Sequence, residues 1–345
     1  MQVIRARNVH EALPEAVRLM GIIGRSSPSR NGEVLVSPEP VTTVYERPRE
    51  RVVFWPQRDA NPFFHLYEAL WMVGGRNDVG SLTRFVQRMG DFSDDGKVFH
   101  GAYGFRWRQW FQIDQLKLIA EALKADPNNR RQVLQMWDCR NDLPLQEELR
   151  DVPCNLVVHF QLHLGALDMT VFCRSNDIVW GCYGANAVHF SVLQEVIAAW
   201  IGTPVGKYWH VSDNWHAYLD SYEQVRGLAD CAAQPMFSKD KPPNPYDGWV
   251  TPFPMVSVSI EQWMEDLDVF LSAEGRVMGY RDPFFRHVAL PMMAVHDTFK
   301  SMGQPERYEV AIARCERIKA DDWRMACEQW LERRLTAWRN RTITP

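Results

Sequence analysis

The sequence lacks the features of a secreted, membrane-spanning or disulfide-rich protein. Its seven cysteines are an odd number, and no pair has the C-x-x-C spacing of a structural zinc site or a redox motif. No apolar run is long enough to cross a membrane, and no hydrophobic signal segment follows the first residues. We therefore expect a protein of the reducing cytoplasm that has neither disulfides nor a bound metal.

The sequence also lacks an excess of positive charge. It has 39 Lys and Arg residues and 43 Asp and Glu residues, which gives a formal net charge of −4. Proteins that bind DNA or RNA usually present a basic surface, so a nucleic-acid polymer is not the expected partner. Glycine-rich dinucleotide loops, P-loops, zinc-protease motifs and serine-hydrolase elbows are missing as well.

What is present predicts an α+β fold. Strand-like segments occur in the first and middle parts of the chain, helical patterns dominate its last part, and few β-α-β units occur. No long polar linker divides the chain, so we expect a single domain over residues 1–345, with a core of about 15–282 and a helical C-terminal extension of about 283–345. The elements expected near candidate site residues are helices at Pro62–Val73 and Asp114–Lys124, a strand at Arg130–Trp137 and a helix capped by Asn186 that ends at Ile201.

The most informative local feature is a predicted hairpin that begins at Cys154. Apolar and polar residues alternate after this cysteine, a turn is expected at residues 165–166, and a second strand runs from Leu167 to Cys173. An antiparallel return brings Arg174 and Ser175 back to the thiol. A nearby guanidinium lowers the pKa of a cysteine, and an arginine with a hydroxyl can bind phosphate. The hairpin therefore predicts covalent chemistry on a phosphorylated substrate.

Other candidate site residues have a structural alternative. Glu68 is surrounded in sequence by bulky apolar residues, which suits a general acid or base, although it could lie on the exposed stripe of an ordinary helix. Arg130-Arg131 could clamp an anion or be solvated, and His216 with Tyr218 could contact a ligand or be satisfied core residues.

In their order along the chain, these segments resemble the thymidylate synthase superfamily. The segments are Glu68-Ala-Leu-Trp, Ala102-Tyr103-Gly104, Asn129-Arg130-Arg131, Pro153-Cys154, Arg174-Ser175-Asn176-Asp177, Asn186 and His216-Ala-Tyr218. The resemblance covers about residues 15–225, and the Pro-Cys and Arg-Ser-x-Asp elements are its most specific part. It implies a mixed sheet flanked by helices.

The resemblance implies a catalytic role for three residues. In that family a cysteine thiolate adds to C6 of a pyrimidine nucleotide, and C5 then attacks a methylene group carried by 5,10-methylenetetrahydrofolate. Cys154 matches the nucleophile, Glu68 the carboxylate that relays protons to the base through water, and Tyr103 the tyrosine near the C5 proton.

The resemblance also implies ligand contacts and a symmetric homodimer. The residues concerned are Arg174, Ser175 and Arg30 for the phosphate, Arg130 and Arg131 for the phosphate in the neighbouring subunit, Asn186 for the base, His216 and Tyr218 for the sugar 3′-hydroxyl, and Asp177 for the folate pterin. The partners expected are therefore a nucleotide, a folate and a second copy of the chain.

Most departures from thymidylate synthase proper lie on the folate side. The loop Trp180–Asn186 is one residue longer than the family's Leu-Gly-x-Pro-Phe-Asn. Three single residues also differ: Cys173 replaces Gln, Asn155 replaces His, and Met89 stands where a tryptophan is usual. The last residues, Arg341–Pro345, do not match the short apolar C-terminus of the family. A wetter site would let water trap the methylene group that thymidylate synthase reduces with hydride. The closer resemblance is to the hydroxymethylases of phages and nucleoside-antibiotic pathways.

The function predicted is folate-dependent C5 hydroxymethylation of dCMP or dUMP through a covalent adduct of Cys154, with reductive C5 methylation as the alternative. Both bases stay open, because the Asn186 amide matches uracil in one orientation and cytosine in the other. A Cys-His-Asn hydrolase is less consistent, since His159 lies on the strand face opposite Cys154. An inactive binding relative would be expected to lose Cys154 or Glu68, and the chain has both.

Overall fold

The computed structural model describes residues 1–143, 149–234 and 242–343. The strands described are β1 Gln2–Ala6, β2 Arg25–Ser29, β3 Gly32–Val36, β4 Val41–Tyr45, β5 Val133–Gln135, β6 Asn155–His163, β7 Ala166–Asp177 and β8 Val205–Tyr218. The α-helices described are α1 Val9–Ile23, α2 Pro62–Val73, α3 Val79–Thr83, α4 Tyr103–Phe105, α5 Gln115–Ala125, α6 Asn186–Ile201, α7 Leu219–Val225, α8 Leu228–Ala233, α9 Ile260–Ser272, α10 Leu290–Ser301, α11 Glu306–Arg314 and α12 Asp321–Ile343.

The strands form one mixed sheet in the order β1-β4-β8-β7-β6-β5, and the β2–β3 hairpin pairs with the end of β8. The β1–β4 and β7–β8 pairs are parallel, and the others are antiparallel. Helix α6 connects β7 to β8, because parallel neighbours need a crossover. The predicted α+β class, the mixed sheet and the helical C-terminal region are confirmed.

The two faces of the sheet differ in burial. Phe160, Met169 and Val171 are fully buried on the face that α6 covers. On the other face Phe172 is 40% exposed and Val133 is 47% exposed. The sheet therefore presents one core face and one partly open apolar face.

Helix α2 lies entirely within the core, and every one of its residues is buried. It begins at Pro62, and the Asn61 side chain caps it by accepting a hydrogen bond from the N–H of Phe64 at 3.2 Å. Glu68 is therefore not on an exposed stripe, and the apolar surroundings expected from the sequence are present.

The C-terminal helices pack on the same core. The Trp330 ring of α12 lies 5.6 Å from the Phe63 ring of α2, centroid to centroid. Asp322, at the start of α12, accepts a hydrogen bond from the Tyr246 hydroxyl at 3.1 Å. The last helix is thus anchored to the core by both apolar and polar contacts.

Several predicted boundaries are wrong by a few residues. The hairpin turn lies at Leu164–Gly165, both with positive φ, instead of residues 165–166. Strand β5 is much shorter than the predicted Arg130–Trp137, because Arg130 and Arg131 belong to the preceding loop. Asn186 lies in the first turn of α6, not at its cap. The Pro-rich residues 232–255, for which the sequence predicts a surface loop, lie partly outside the described residues.

Candidate active site

The β6–β7 hairpin brings Cys154 and Arg174 together. Cys154 lies in the bend directly before β6, and its carbonyl oxygen accepts a hydrogen bond from the N–H of Arg174 at 2.9 Å. Asn155 pairs with Cys173 in the adjoining ladder. The juxtaposition predicted from the sequence is present.

The guanidinium of Arg174 lies against the segment that leads to the thiol. Its Nε donates to the carbonyl oxygen of Pro153 at 2.9 Å, and its Nη2 donates to that of Val152 at 3.1 Å. The Cys154 Sγ lies 3.9 Å from the same Val152 oxygen. Thiol and guanidinium therefore share one carbonyl neighbour.

Burial raises the pKa of the Cys154 thiol above its ordinary value. Arg174 and Arg30 lower this pKa and Asp151 raises it, but the loss of hydration is the largest influence. The expectation of a lowered pKa is therefore wrong in net direction, although Arg174 acts as predicted. An alternating strand pattern does not show how deeply the residue before the strand is buried.

Tyr103 reaches the backbone next to the thiol. Its hydroxyl accepts a hydrogen bond from the N–H of Asn155 at 3.3 Å, and burial raises its pKa well above the ordinary value. Helix α4 can approach this closely because residue 104 is glycine: a Cβ there would lie 1.9 Å from the Met72 carbonyl oxygen. Tyr103 is thus a neutral phenol beside Cys154.

Three asparagines and a histidine form a buried hydrogen-bonded group behind the thiol. Asn155 Nδ2 donates to Asn186 Oδ1 at 3.2 Å, and Asn186 Nδ2 donates to Asn176 Oδ1 at 3.1 Å. His210 Nε2 lies 3.1 Å from Asn155 Oδ1 and 3.2 Å from Asn176 Nδ2. Burial lowers the pKa of His210 to about 3, so the ring is neutral. Asn186 keeps one N–H and one lone pair outside this hydrogen-bonded group.

Glu68 faces a histidine that the sequence did not single out. Its Oε2 lies 2.9 Å from His189 Nε2, and the two side chains are 11% and 3% exposed. The contact lacks the alignment of a hydrogen bond, and neither atom has a hydrogen-bond partner among the described residues. His189 is on α6, one turn after Asn186.

His216 and Tyr218 lie at the end of β8. Their rings are 5.5 Å apart at nearly a right angle, and the His216 Nδ1 lies 3.3 Å from the Asn214 carbonyl oxygen. The Tyr218 hydroxyl accepts a hydrogen bond from Asn31 Nδ2 at 3.4 Å. The ladder places His216 directly opposite Asp177 of β7.

Asp177 caps the helical turn Ile178–Ala185 that precedes α6. One carboxylate oxygen accepts from the N–H of Trp180, whereas Oδ2 is buried with no partner in the described part of the chain. Burial raises the pKa of Asp177. The Arg58 guanidinium stacks 4.7 Å from the Trp180 ring, and burial lowers the pKa of Arg58 to about 10. The Trp180 ring is itself 49% exposed, so it borders open space beside an unpaired acceptor.

The remaining predicted ligands fall in two places. Arg30 lies in the exposed turn between β2 and β3, yet it is near enough to Cys154 to lower the pKa of its thiol. Ser175 follows Arg174 in β7. Arg130 and Arg131 are exposed in the loop after α5, and no described contact joins them to Cys154 or Arg174 within the chain.

Sequence reasoning missed His189, His210 and the role of Asn176. The three-residue spacing of Asn186 and His189 on one helix could have pointed to His189, since residues i and i+3 share a face. His210 and Asn176 meet only through the parallel β7–β8 pairing, which sequence spacing does not reveal.

None of the helices in the described residues is both long and apolar enough to cross a membrane. No group of three or more His, Cys, Asp or Glu side chains in that part of the chain is arranged to hold a metal ion.

Comparison with known proteins gives one family and several phage relatives. The thymidylate synthase family model matches residues 54–238. A deoxyuridylate hydroxymethyltransferase of Pseudomonas phage M6 is 53% identical over 343 residues, which are 99% of this chain and 97% of the relative. The protein of that name in Bacillus phage SP01 is 40% identical over 193 residues, 53% of this chain and 50% of its own length. That of Delftia phage PhiW-14 is 32% identical over 191 residues, 52% of each chain.

Proposed function

Because the chain belongs to the thymidylate synthase family, we propose that it is a one-carbon transferase that hydroxymethylates C5 of dUMP. The observation that carries this proposal is the 53% identity over 99% of the chain with a deoxyuridylate hydroxymethyltransferase. The hydroxymethylase resemblance drawn from the sequence is confirmed. Of the two bases left open there, uracil is the one supported.

Cys154 is the nucleophile of this reaction. Its thiolate adds to C6 of the uracil ring, which makes C5 electron-rich, and it leaves again when the 5,6 double bond reforms. Because burial raises the pKa of the thiol, the charges of Arg174 and Arg30 are needed to retain reactive thiolate. We assign to Tyr103 a role in the departure of the C5 proton, which its neutral phenol beside Asn155 supports.

Arg174, Ser175 and Arg30 bind the phosphate of the nucleotide. Their position beside the thiol supports this role, since it puts the anion site and the nucleophile at one end of the hairpin. His216 and Tyr218, at the neighbouring strand end, contact the sugar hydroxyl.

Asn186 reads the base. In one amide orientation it donates to O4 and accepts from N3–H of uracil. Its Oδ1 and Nδ2 are each already held by another asparagine, so the amide is fixed before the base arrives.

The co-substrate is 5,10-methylenetetrahydrofolate, and the residues near Asp177 fit it. The buried, unpartnered Oδ2 of Asp177 is an acceptor for the N–H groups of a pterin, and the half-exposed Trp180 ring offers it an aromatic surface. When bound, the folate supplies the one-carbon unit at the oxidation level of formaldehyde. No metal is required by this chemistry.

We expect the protein to act as a homodimer in the cytoplasm. The partly open sheet face with Phe172 and Val133 offers an apolar surface for a second copy, and a two-fold axis there would repeat each contact. Arg130 and Arg131, which are exposed and have no described contact with the thiol of their own chain, reach the phosphate of the other subunit in this proposal. The cysteines are all unpaired, which suits a reducing compartment.

A substrate comparison tests the proposal. The wild type is incubated with 5,10-methylenetetrahydrofolate and either dUMP or dCMP tritiated at C5. We expect tritium release and a hydroxymethyl product by mass spectrometry from dUMP. The Cys154→Ala variant should bind dUMP but release no tritium. A thymidylate product, or full activity of Cys154→Ala, contradicts the proposal.

A further inference from the structure

Glu68 and His189 form a buried carboxylate–imidazole pair that borders the base site. The pair joins α2 to α6, with 2.9 Å between Oε2 and Nε2. Asn186 lies one turn before His189 on α6 and contacts Asn155, the residue after Cys154. The pair is therefore one helical turn from the group that reads the base.

The geometry of this pair is unusual for a structural ion pair. Both atoms are buried, and neither is satisfied by an aligned hydrogen bond among the described residues. Leaving a buried polar atom unsatisfied costs about 1–3 kcal/mol, so a purely structural pair would be expected to align. Hydrogen bonds of catalytic groups often align only when substrate is present.

Of the buried side chains described next to Glu68, His189 is the one that can accept a proton directly from it. His65 lies one turn before Glu68 on α2, and burial lowers its pKa well below the ordinary value, with Arg58 and His189 adding to that effect. His65 is therefore held neutral and does not compete for a proton. The Arg58 guanidinium, also buried, has no acceptor capacity.

Hydroxymethylation differs from methylation in one step, which needs a base. The water oxygen forms a bond to the exocyclic methylene carbon, and the electron pair of the exocyclic double bond moves onto C4–O4. The water loses one proton in this step. Departure of the Cys154 thiolate from C6 then restores the 5,6 double bond. In the overall balance, that proton and the C5 proton end on the two nitrogens of tetrahydrofolate.

We propose that His189 is a positioning residue that takes up, through Glu68, the proton lost by the attacking water. Glu68 receives the proton from water, and the imidazole Nε2 accepts it in turn, so that the carboxylate is ready again. This inference rests on the proposed function. It adds a residue that promotes the attack of water on the methylene carbon. Its removal should impair hydration more than the earlier transfer of the one-carbon unit.

The test compares two steps in His189→Leu and His189→Gln. Tritium release from C5 reports the transfer step, and the hydroxymethyl product reports hydration. For both variants we expect product formation to fall about 10–100-fold while tritium release falls less than about threefold. With 2-mercaptoethanol present, the stalled methylene group should appear as a thioether of the nucleotide by mass spectrometry. The dissociation constant of dUMP, measured without folate, should stay within about twofold of the wild type.

His296→Leu is the matched control, since His296 is also buried and its Nδ1 has no hydrogen-bond partner among the described residues, but it belongs to α10. It should change thermal stability without changing the ratio of product to tritium. Equal losses of tritium release and product in the His189 variants overturn the inference, and so does wild-type product formation by His189→Gln. A wild type that makes no hydroxymethyl product contradicts the proposed function itself, and the role of His189 with it.

Discussion

At Cys154, burial raises the pKa of the thiol, and the nearby positive charges of Arg174 and Arg30 lower it. The positive charge beside the thiol could be predicted from the sequence, because the hairpin puts Arg174 opposite the cysteine. The sequence did not show the burial, which comes from packing of distant segments such as α4 against the start of β6. The position of Arg174 beside Cys154 was therefore easier to predict than the protonation of the thiol.

Replacing Arg174 tests the effect of charge on the thiol. In Arg174→Met the pKa of Cys154 should rise further, because the cation that lowers it is lost. We expect iodoacetamide to alkylate Cys154 several-fold more slowly than in the wild type at about pH 8–9, with the rate still rising towards higher pH.

Arg174→Lys keeps the charge and should stay close to the wild type. Alkylation of Cys154→Ala gives the background from other thiols, among which Cys139 is exposed. Equal rates for the Met variant and the wild type would show that Arg174 does not influence the thiol.

Among the elements, those defined by local pattern were the easiest to predict. The helices α2, α5 and α6 and the β6–β7 hairpin are set by caps, periodicity and turns within a few residues. The parallel pairing of β7 with β8 depends on packing across α6, and no local sequence pattern predicts it. The contact of His210 with Asn176 was missed for this reason.

The close approach of α4 to α2 depends on Gly104. A Cβ there would lie 1.9 Å from the Met72 carbonyl oxygen, so Gly104→Ala must push the helices apart and move Tyr103. We expect a loss of about 2–3 kcal/mol in the free energy of unfolding and a lower kcat. Urea denaturation and steady-state kinetics measure the two effects.

Gly80→Ala is the control, because a Cβ at that exposed position of α3 has nothing within 4 Å. It should leave kcat unchanged and stabilise the protein by up to about 1 kcal/mol. If both substitutions have the same effect, the close contact of α4 with α2 is not what requires glycine.

Helix α12 makes stability depend on pH through Asp322. Burial raises the pKa of this carboxyl to about 6 in the folded protein, so the folded state holds its proton more tightly than the unfolded state. The resulting stabilisation is present in acid and is lost as the pH rises towards the folded-state pKa. Between about pH 5 and about pH 7, this group should lower the free energy of unfolding by about 1 kcal/mol.

In Asp322→Asn, urea denaturation over that pH range should show that this fall in the free energy of unfolding with rising pH is gone. Asp321→Asn, whose carboxylate pairs with Arg324 nearer the surface, should retain it. An unchanged slope in Asp322→Asn would mean that the carboxyl is ionised at both pH values.

For the whole molecule, the order of motifs carried more information than any one element. It predicted a mixed sheet flanked by helices and the family over about residues 15–225, whereas the similarity to the phage M6 relative extends over 99% of the chain. The helices α10–α12 have no motif that marks their packing, so only their helical character was predicted. The open sheet face also appears only when all strands are assembled.

Mixing two inactive variants tests the shared site of the proposed dimer. One variant carries Cys154→Ala, and the other carries Arg130→Ala with Arg131→Ala. After subunit exchange, half of the dimers should be mixed, and each mixed dimer has one complete site. We expect about a quarter of wild-type activity, measured by tritium release, and a dimer mass by sedimentation. Activity no higher than that of the separate variants would place the arginines outside the partner's site.

The identity of the nucleophile that completes the reaction tests the central claim most directly. The wild type is given dUMP and 5,10-methylenetetrahydrofolate in water labelled with heavy oxygen, and the nucleotide product is analysed by mass spectrometry. The account predicts a 5-hydroxymethyl product whose new oxygen carries the label. An unlabelled 5-methyl product would contradict it, because hydride and not water would then have reached the methylene carbon.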